Sequence, residues 1–280
     1  MNFEEKELKI ILKKLKEKTG YDFSQYRQGT IKRRIAKRLW TIGVKDIQTY
    51  ITILERDLNE CKRLIQELTI KVSQFFRNPY VFEILNIMIL PEILEIKKKQ
   101  KDCMIRIWSA GCAYGEEAYS IAMLLMEHLK QKKIFNDYKI SIFATDIDEK
   151  ALIKAKQGIY DEEAVLEVKK KFLDKYFIYN GLYKVTDEIK QLVNFYEHDV
   201  TSQRQIAPPG GVICNYDMIL CRNLLIYLSD PLQKRVISNF SKSLNPGGYL
   251  ILGESEYIPK EFEEIFILKD RHGKIYQKRY

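Results

Sequence analysis

Cysteine and histidine are scarce and scattered in this chain of 280 residues. The five cysteines, Cys61, Cys103, Cys112, Cys214 and Cys221, are odd in number and contain no C-x-x-C pair. That argues against a disulfide framework and a thiolate zinc site, and predicts buried free thiols. The three histidines, His128, His198 and His272, lie far apart, so no metal is expected. No apolar run reaches membrane-spanning length, because "ILNIMILPEIL" is broken by Asn86 and Pro91. Insertion into a membrane is therefore not expected. The stretch "MNFEEKELKIILKKLKEK" carries charges throughout and no small-residue cleavage site follows it, which predicts a cytoplasmic protein rather than a secreted one. Internal repeats and low-complexity tracts are absent as well.

Charge, by contrast, is concentrated. The chain carries a net +9, and residues 1–40 alone hold 12 Lys or Arg against 5 Asp or Glu. Most of the positive balance thus belongs to one short segment, as expected of a surface for an acidic partner. Residues 3–70 read as helical, with apolar stripes Leu8, Ile11, Leu12, Leu15 and Ile31, Ile35, Leu39. In "TIKRRIAKRLWTIG" the second stripe leaves Lys32, Arg33, Arg34, Lys37 and Arg38 on the rest of the circumference. Those cations form either a solvated helix face or a docking surface.

Beyond residue 71 the texture changes to apolar β-branched runs alternating with helical patterns. Strands are predicted over 104–109, 139–145, 192–196, 216–221 and 248–253. The alternation predicts a parallel, doubly wound α/β sheet covered on both faces. "IFILKDRHGKIYQKRY" adds a terminal antiparallel hairpin turning at His272-Gly273. Residues 161–190, with the aromatic hairpin "KYFIYNGLYKV", fit a small β insert. The organisation expected is a basic helical domain over 1–70 and a sheet domain over 71–280 that carries this insert.

In such a sheet ligands bind beyond the carboxyl ends of the strands, at the switch point. After the first predicted strand come Gly111 and Gly115, spaced G-x-x-x-G, so the dinucleotide fingerprint G-x-G-x-x-G is not met. Glu116 and Glu117 then open a helix where a phosphate binder would offer bare amides. Two carboxylates repel a pyrophosphate and favour a cationic ligand without phosphates, and S-adenosylmethionine is one. Its ribose calls for an acid at the end of the second strand, where "IFATDIDEKAL" supplies Asp146, with Asp148 close behind. Glu116 and Asp148 individually also fit first-turn and capping roles.

Taken together and in order, "SQFFRNPYVFEIL", "RIWSAGCAYGEEAYSIAMLL", "IFATDIDEKALIKAKQGIY", "ILCRNLLIYL" and "LNPGGYLILGESE" resemble the CheR family of chemotaxis receptor glutamate methyltransferases. The resemblance implies a class I S-adenosylmethionine-dependent methyltransferase with a Rossmann-like sheet. The implied reaction carries the methyl group to glutamates on cytoplasmic chemoreceptor helices, forming γ-methyl esters and S-adenosylhomocysteine. By matching motif, it implies that Lys71, Ser73 and Arg77 close over the cofactor. Glu117 would meet the methionine ammonium, Asp146 the ribose, Asp199 and Val200 the adenine side, and Arg222 with Asn223 the cofactor from the fourth strand. Arg77 and Tyr227 would sit nearest the reacting methyl. Lys71 and Asp199 stand where the family often has asparagine. The basic helix would dock on receptor helices. No nucleic acid is expected, although an RNA methyltransferase would share the sheet and the basic helix. Such an enzyme would carry an N-P-P-Y-like loop where this chain has "CRNLLIY". A non-catalytic cofactor sensor is a third class, against which the complete set Arg77, Glu117, Asp146 and Tyr227 argues.

Overall fold

The structure, a computed structural model, describes residues 5–69, 73–203, 205–210 and 215–280. Lys71 and Cys214 lie outside the described residues. The chain forms two compact units: residues 1–71 joined by 227–233, and residues 72–226 together with 234–280.

The first unit packs α1 (Glu5–Thr19), α2 (Gln28–Thr41), α3 (Ile47–Arg56) and α4 (Leu58–Leu68). Helices α3 and α4 begin where Asp46 and Asp57 accept amides from Thr49 and Asn59, so each start is fixed by a capping carboxylate. The stripes Leu8, Ile11, Leu12, Leu15 and Ile31, Ile35, Leu39 are buried and make the core. Segment 227–233 joins this unit through its backbone: Arg27 N–H donates to the Tyr227 carbonyl and Ser229 N–H to the Gln25 carbonyl, both at 2.9 Å.

Not all of the α2 cations face outward. Arg38, its side chain 14% exposed, forms a two-pronged ion pair with the buried Glu60 at 2.8 and 2.6 Å, and the Tyr50 hydroxyl donates to the same carboxylate. Arg34 and Lys37 lie 3.6 and 2.7 Å from Glu67. Arg38 is therefore a packing element between α2 and α4 rather than a docking cation, because a charge so enclosed needs its carboxylate. Arg33 is exposed and Lys32 half-buried, which leaves these two and Lys37 as the outward charge.

The second unit is built on a seven-stranded sheet in the order β6-β2-β1-β7-β8-β10-β9. Its strands are β1 (Met104–Ala110), β2 (Lys139–Asp146), β6 (Val193–Glu197), β7 (Tyr216–Cys221), β8 (Leu244–Leu252), β9 (Phe266–Asp270) and β10 (Ile275–Lys278). The first five are parallel, and β10 runs antiparallel to both β8 and β9. β1 and β7 are buried almost throughout, as strands covered on both faces must be. The order reverses between β1 and β7, which places the switch-point crevice there. Helix α7 (Glu116–Gln131), all but encased, follows β1, and α8 (Glu149–Gln157) follows β2. Ahead of the sheet, α5 (Pro79–Ile84) and α6 (Leu90–Gln100) are joined through a π-helical stretch at Leu85–Ile89. Pro91 lies in the first turn of α6, where a missing N–H does least harm.

A second, three-stranded sheet takes β3 (Ile159–Tyr160), β4 (Phe177–Tyr179) and β5 (Tyr183–Val185) in the order β3-β5-β4. α9 (Lys170–Tyr176) leads into β4, and α10 (Asp187–Lys190) follows β5. Phe75 seats against this sheet edge-on, 4.7 Å from Tyr160 and 5.1 Å from Phe177 between ring centres. α11 (Asp230–Ser243) precedes β8. Cys61, Cys112 and Cys221 are buried thiols, but Cys103 is exposed, because it lies in the turn before β1 rather than within the strand. No helix among the described residues is long and apolar enough to cross a membrane.

Glu60→Ala should destabilise the helical unit by about 3–5 kcal/mol, since Arg38 would stay enclosed without its carboxylate. Hydrogen exchange across residues 28–68 reads the change, and Glu60→Ala combined with Arg38→Met should recover most of it.

Candidate active site

The strand order places the switch-point crevice at the carboxyl ends of β1 and β7, and the loop after β1 is tied to the end of β2 beside it. Gly111 N–H and Cys112 N–H both donate to the Thr145 carbonyl, at 2.7 and 2.9 Å, and Ala113 N–H donates to Asp146 Oδ2 at 2.9 Å. Asp146 Oδ1 accepts Asp148 N–H at 2.9 Å, so two amides orient this carboxylate. Asp148 in turn caps α8 by accepting the amides of Lys150 and Ala151. Gly115 is required where the loop enters α7. Its φ is +91°, and a Cβ there would lie 3.0 Å from both Ala155 Cβ and the Phe195 ring. The end of β2 therefore takes the loop amides that a phosphate site would present, and carboxylates are left at the crevice.

Of the two glutamates that open α7, Glu117 meets the crevice. Ser109 donates its hydroxyl to Oε1 at 2.7 Å, and Arg222 Nη1 lies 3.4 Å from Oε2. Glu116 is buried: Ser73 hydrogen-bonds to its side chain, and Oε2 has no hydrogen-bond partner. Burial pushes its carboxyl up to about 7. Glu116 therefore holds its proton well above the ordinary carboxylate range, while Glu117 is the acid set beside the guanidinium.

Arg222, directly after β7, joins the pieces. Its side chain is 4% exposed; Nη2 donates to the Arg77 carbonyl and to Asn78 Oδ1, each at 2.9 Å, while Nε has no partner. Burial lowers its pKa from the ordinary value, the Glu117 carboxylate opposes that shift, and the Arg77 charge adds to it. The segment that supplies these acceptors is strained, with φ of +53° at Phe76 and +59° at Asn78. Such a backbone at a phenylalanine persists only when neighbours over-determine it. Here Phe76 N–H donates to Ser120 Oγ at 2.9 Å, and its ring packs on Phe82 and Phe172.

Asn223 also has a left-handed φ of +59°, and its N–H donates to Glu256 Oε2 at 2.9 Å. Glu256 additionally accepts Gly253 N–H at 2.6 Å and Ile226 N–H at 3.2 Å, so one buried carboxylate organises the strand ends of β7 and β8. Beside β2, the loop after β6 is tied down by His198 N–H donating to the Asp146 carbonyl. Asp199 Oδ1 accepts both the N–H and the hydroxyl of Thr201, which makes it a turn-former, and Val200 is buried. Thus Arg77, Glu117 and Arg222 come together, Asn223 follows Arg222 and is held by Glu256, and Ser73 bonds Glu116 instead, with Asp146, Asp199 and Val200 at the ends of the neighbouring strands. Tyr227 groups with the helical unit. Asn78, Ser109 and Glu256 are organising residues that sequence reasoning did not single out. Glu256 carried only a faint signal, as an acid three residues past the glycine that ends a strand. Burial pushes the Cys112 and Cys221 thiols up, so neither is a ready thiolate nucleophile.

Comparison with known proteins matches "CheR methyltransferase, SAM binding domain" over residues 71–273 and "CheR methyltransferase, all-alpha domain" over 6–69. The chain belongs to the CheR methyltransferase family. A chemotaxis protein methyltransferase of Borreliella burgdorferi is 30% identical over 262 residues, covering 92% of this chain and 90% of the relative. Chemotaxis protein methyltransferase 2 of Vibrio cholerae is 33% identical over 257 residues, with 90% and 85% covered. An uncharacterized 104.1 kDa protein of Rhodobacter capsulatus is 32% identical over 90% of this chain, which spans only 25% of that protein's length. The cofactor of this CheR chain is S-adenosylmethionine, and the crevice suits it: its loop amides are consumed internally, and the groups left are carboxylates fit for ammonium and hydroxyl groups. Membership also agrees with the strand order, a class I methyltransferase sheet whose last two strands form the antiparallel hairpin.

The Glu116 carboxyl predicts a pH effect. In the unfolded chain it ionises near 4.5, in the fold near 7, so the native state holds the extra proton between these values and loses stability as pH rises through them. Glu116→Gln should match the parent below pH 4.5 and exceed its stability by up to about 3 kcal/mol above pH 7, read by denaturant unfolding across the range.

Proposed function

We propose that this CheR protein methylates glutamate side chains on the cytoplasmic helices of chemoreceptors, giving γ-methyl esters. Arg222 carries the reading. Enclosed at the switch point, it joins Glu117 to the Arg77-Asn78 turn, so that a group for the methionine ammonium and an arginine for the accepting carboxylate belong to one framework. The chemotaxis methyltransferase names of the relatives support the choice of substrate.

When bound, S-adenosylmethionine supplies a methyl on a positively charged sulfur; as the glutamate oxygen forms its C–O bond the C–S bond breaks, the two charges cancel and no proton moves. No general base is required, since a glutamate is already ionised at neutral pH. The residues instead align and desolvate. In this reading Glu117 fixes the methionine ammonium and Asp146 the ribose hydroxyls. Ser73, Asp199, Val200, Arg222 and Asn223 complete the cofactor shell, with Lys71 as a further contact. Arg77 orients the accepting carboxylate by paired donors and Tyr227 supplies a second hydrogen bond. Lys32, Arg33 and Lys37 on α2 are the docking charges toward acidic receptor helices. Arg38, engaged with Glu60, contributes to the shape of that face and not to its charge.

Transfer of labelled methyl to a chemoreceptor cytoplasmic fragment tests the reading. The label should be released as methanol by mild alkali, as esters release it and methylated nitrogen does not. Arg77→Ala should lower kcat by about 100-fold. Cofactor binding without any alkali-labile label on the receptor would sink the proposal.

A further inference from the structure

A second cleft adjoins Arg222. It has a volume of about 640 Å³ and is lined by Asn78, Tyr80, Arg222, Glu254, Arg271 and Lys274, among others. Its position follows from strand direction. β10 runs antiparallel to β8, with Ile275 opposite Ile251 and Leu252 N–H donating to the Lys274 carbonyl at 3.1 Å. The β9–β10 turn therefore stands at the carboxyl edge of the parallel strands, beside the crevice rather than behind it.

Three features give the cleft a preference. Among its lining residues the cations Arg222, Arg271 and Lys274 outnumber the one acid, Glu254; Arg222 also pairs with Glu117, and the Asp270 carboxylate at the rim is engaged by Tyr80 and Gly273. Arg222 presents a buried Nε with no partner, and Lys274 is held with its ammonium 3.7 Å from the centre of the Tyr257 ring. Arg271 is exposed, and no ion pair engages it among the described residues. The rim is also preorganised. The Tyr80 hydroxyl donates to Asp270 Oδ2 at 3.0 Å, Gly273 N–H donates to Oδ1 of the same carboxylate, and His272 meets the Tyr80 ring edge-on. A turn held this way loses little freedom when a ligand arrives.

We propose that this cleft receives the acceptor segment of an acidic protein substrate, with Arg271 binding a carboxylate that flanks the methylated glutamate. The inference rests on the glutamate reading above and adds a specificity residue to it. An acidic segment fits because the accepting side chain must approach Arg77, whose carbonyl Arg222 holds, while neighbouring carboxylates would meet the turn cations.

The test is steady-state methylation of the receptor fragment by three full-length proteins at low ionic strength. Arg271→Glu should raise KM for the fragment about five- to tenfold, with kcat and the S-adenosylmethionine dissociation constant unchanged. Arg271→Lys should restore most of the loss. Lys139→Glu makes the same charge change on an exposed residue at the amino end of β2, the opposite edge of the sheet, and should leave KM as it was. An unchanged KM in Arg271→Glu, an equal rise in Lys139→Glu, or weakened cofactor binding in Arg271→Glu would each overturn the cleft assignment while leaving the methylation reading standing. If the parent protein places no alkali-labile label on the fragment, the methylation reading fails and this proposal with it.

Discussion

A guanidinium taken almost wholly out of water must be surrounded by acceptors, and Arg222 imposes that requirement on the second unit. Its acceptors come from widely separated chain positions: Glu117, 105 residues away, and Asn78, 144 residues away. Desolvation opposes the charge, and a carboxylate, a carbonyl and an amide oxygen together offset it. The strained backbone at Phe76 and Asn78 makes sense in this light. The left-handed turn directs the Arg77 carbonyl and the Asn78 amide toward one guanidinium, while aromatic packing and the Ser120 hydroxyl hold the turn in place.

A second constraint concerns the backbone amides. Loops that bind phosphate leave several N–H groups unpaired until the ligand arrives. In this loop Thr145 and Asp146 take them, and side-chain acids stand at the strand ends instead. Burial then separates the two acids that open α7. Glu116, short of hydrogen bonds and far from water, holds its proton up to about pH 7, whereas Glu117 stands beside Arg222. Burial thus weakens the charge of Glu116 near neutral pH and lessens the repulsion between the two neighbours.

Sequence patterns revealed what depends on near neighbours. Strand runs such as "RIWSA" and "YDMILC", the apolar stripes of α1 and α2 and the terminal hairpin could be read because their signals recur every two, three or four residues. The acids Glu117 and Asp146 stood out because each follows a strand at a position where ligands bind. The five α2 cations were legible as charges but not as partners: only the packing of α2 on α4 shows that Arg38 faces inward to Glu60. Glu256 escaped notice for the same reason, since the amides it gathers at Asn223 and Ile226 lie 33 and 30 residues away.

The sequence by itself determined the elements, their alternation and the family to which the chain belongs, since all of these rest on local periodicity and short motifs in a fixed order. Only the tertiary structure decided which charges are free, which are paired and which are held neutral. Proton affinity and pairing depend on burial and on groups brought together from distant parts of the chain. For that reason Glu116 and Glu117 are the same letter in the sequence and different chemical groups in the fold, and a basic turn more than a hundred residues past α7 comes to border the crevice that α7 opens.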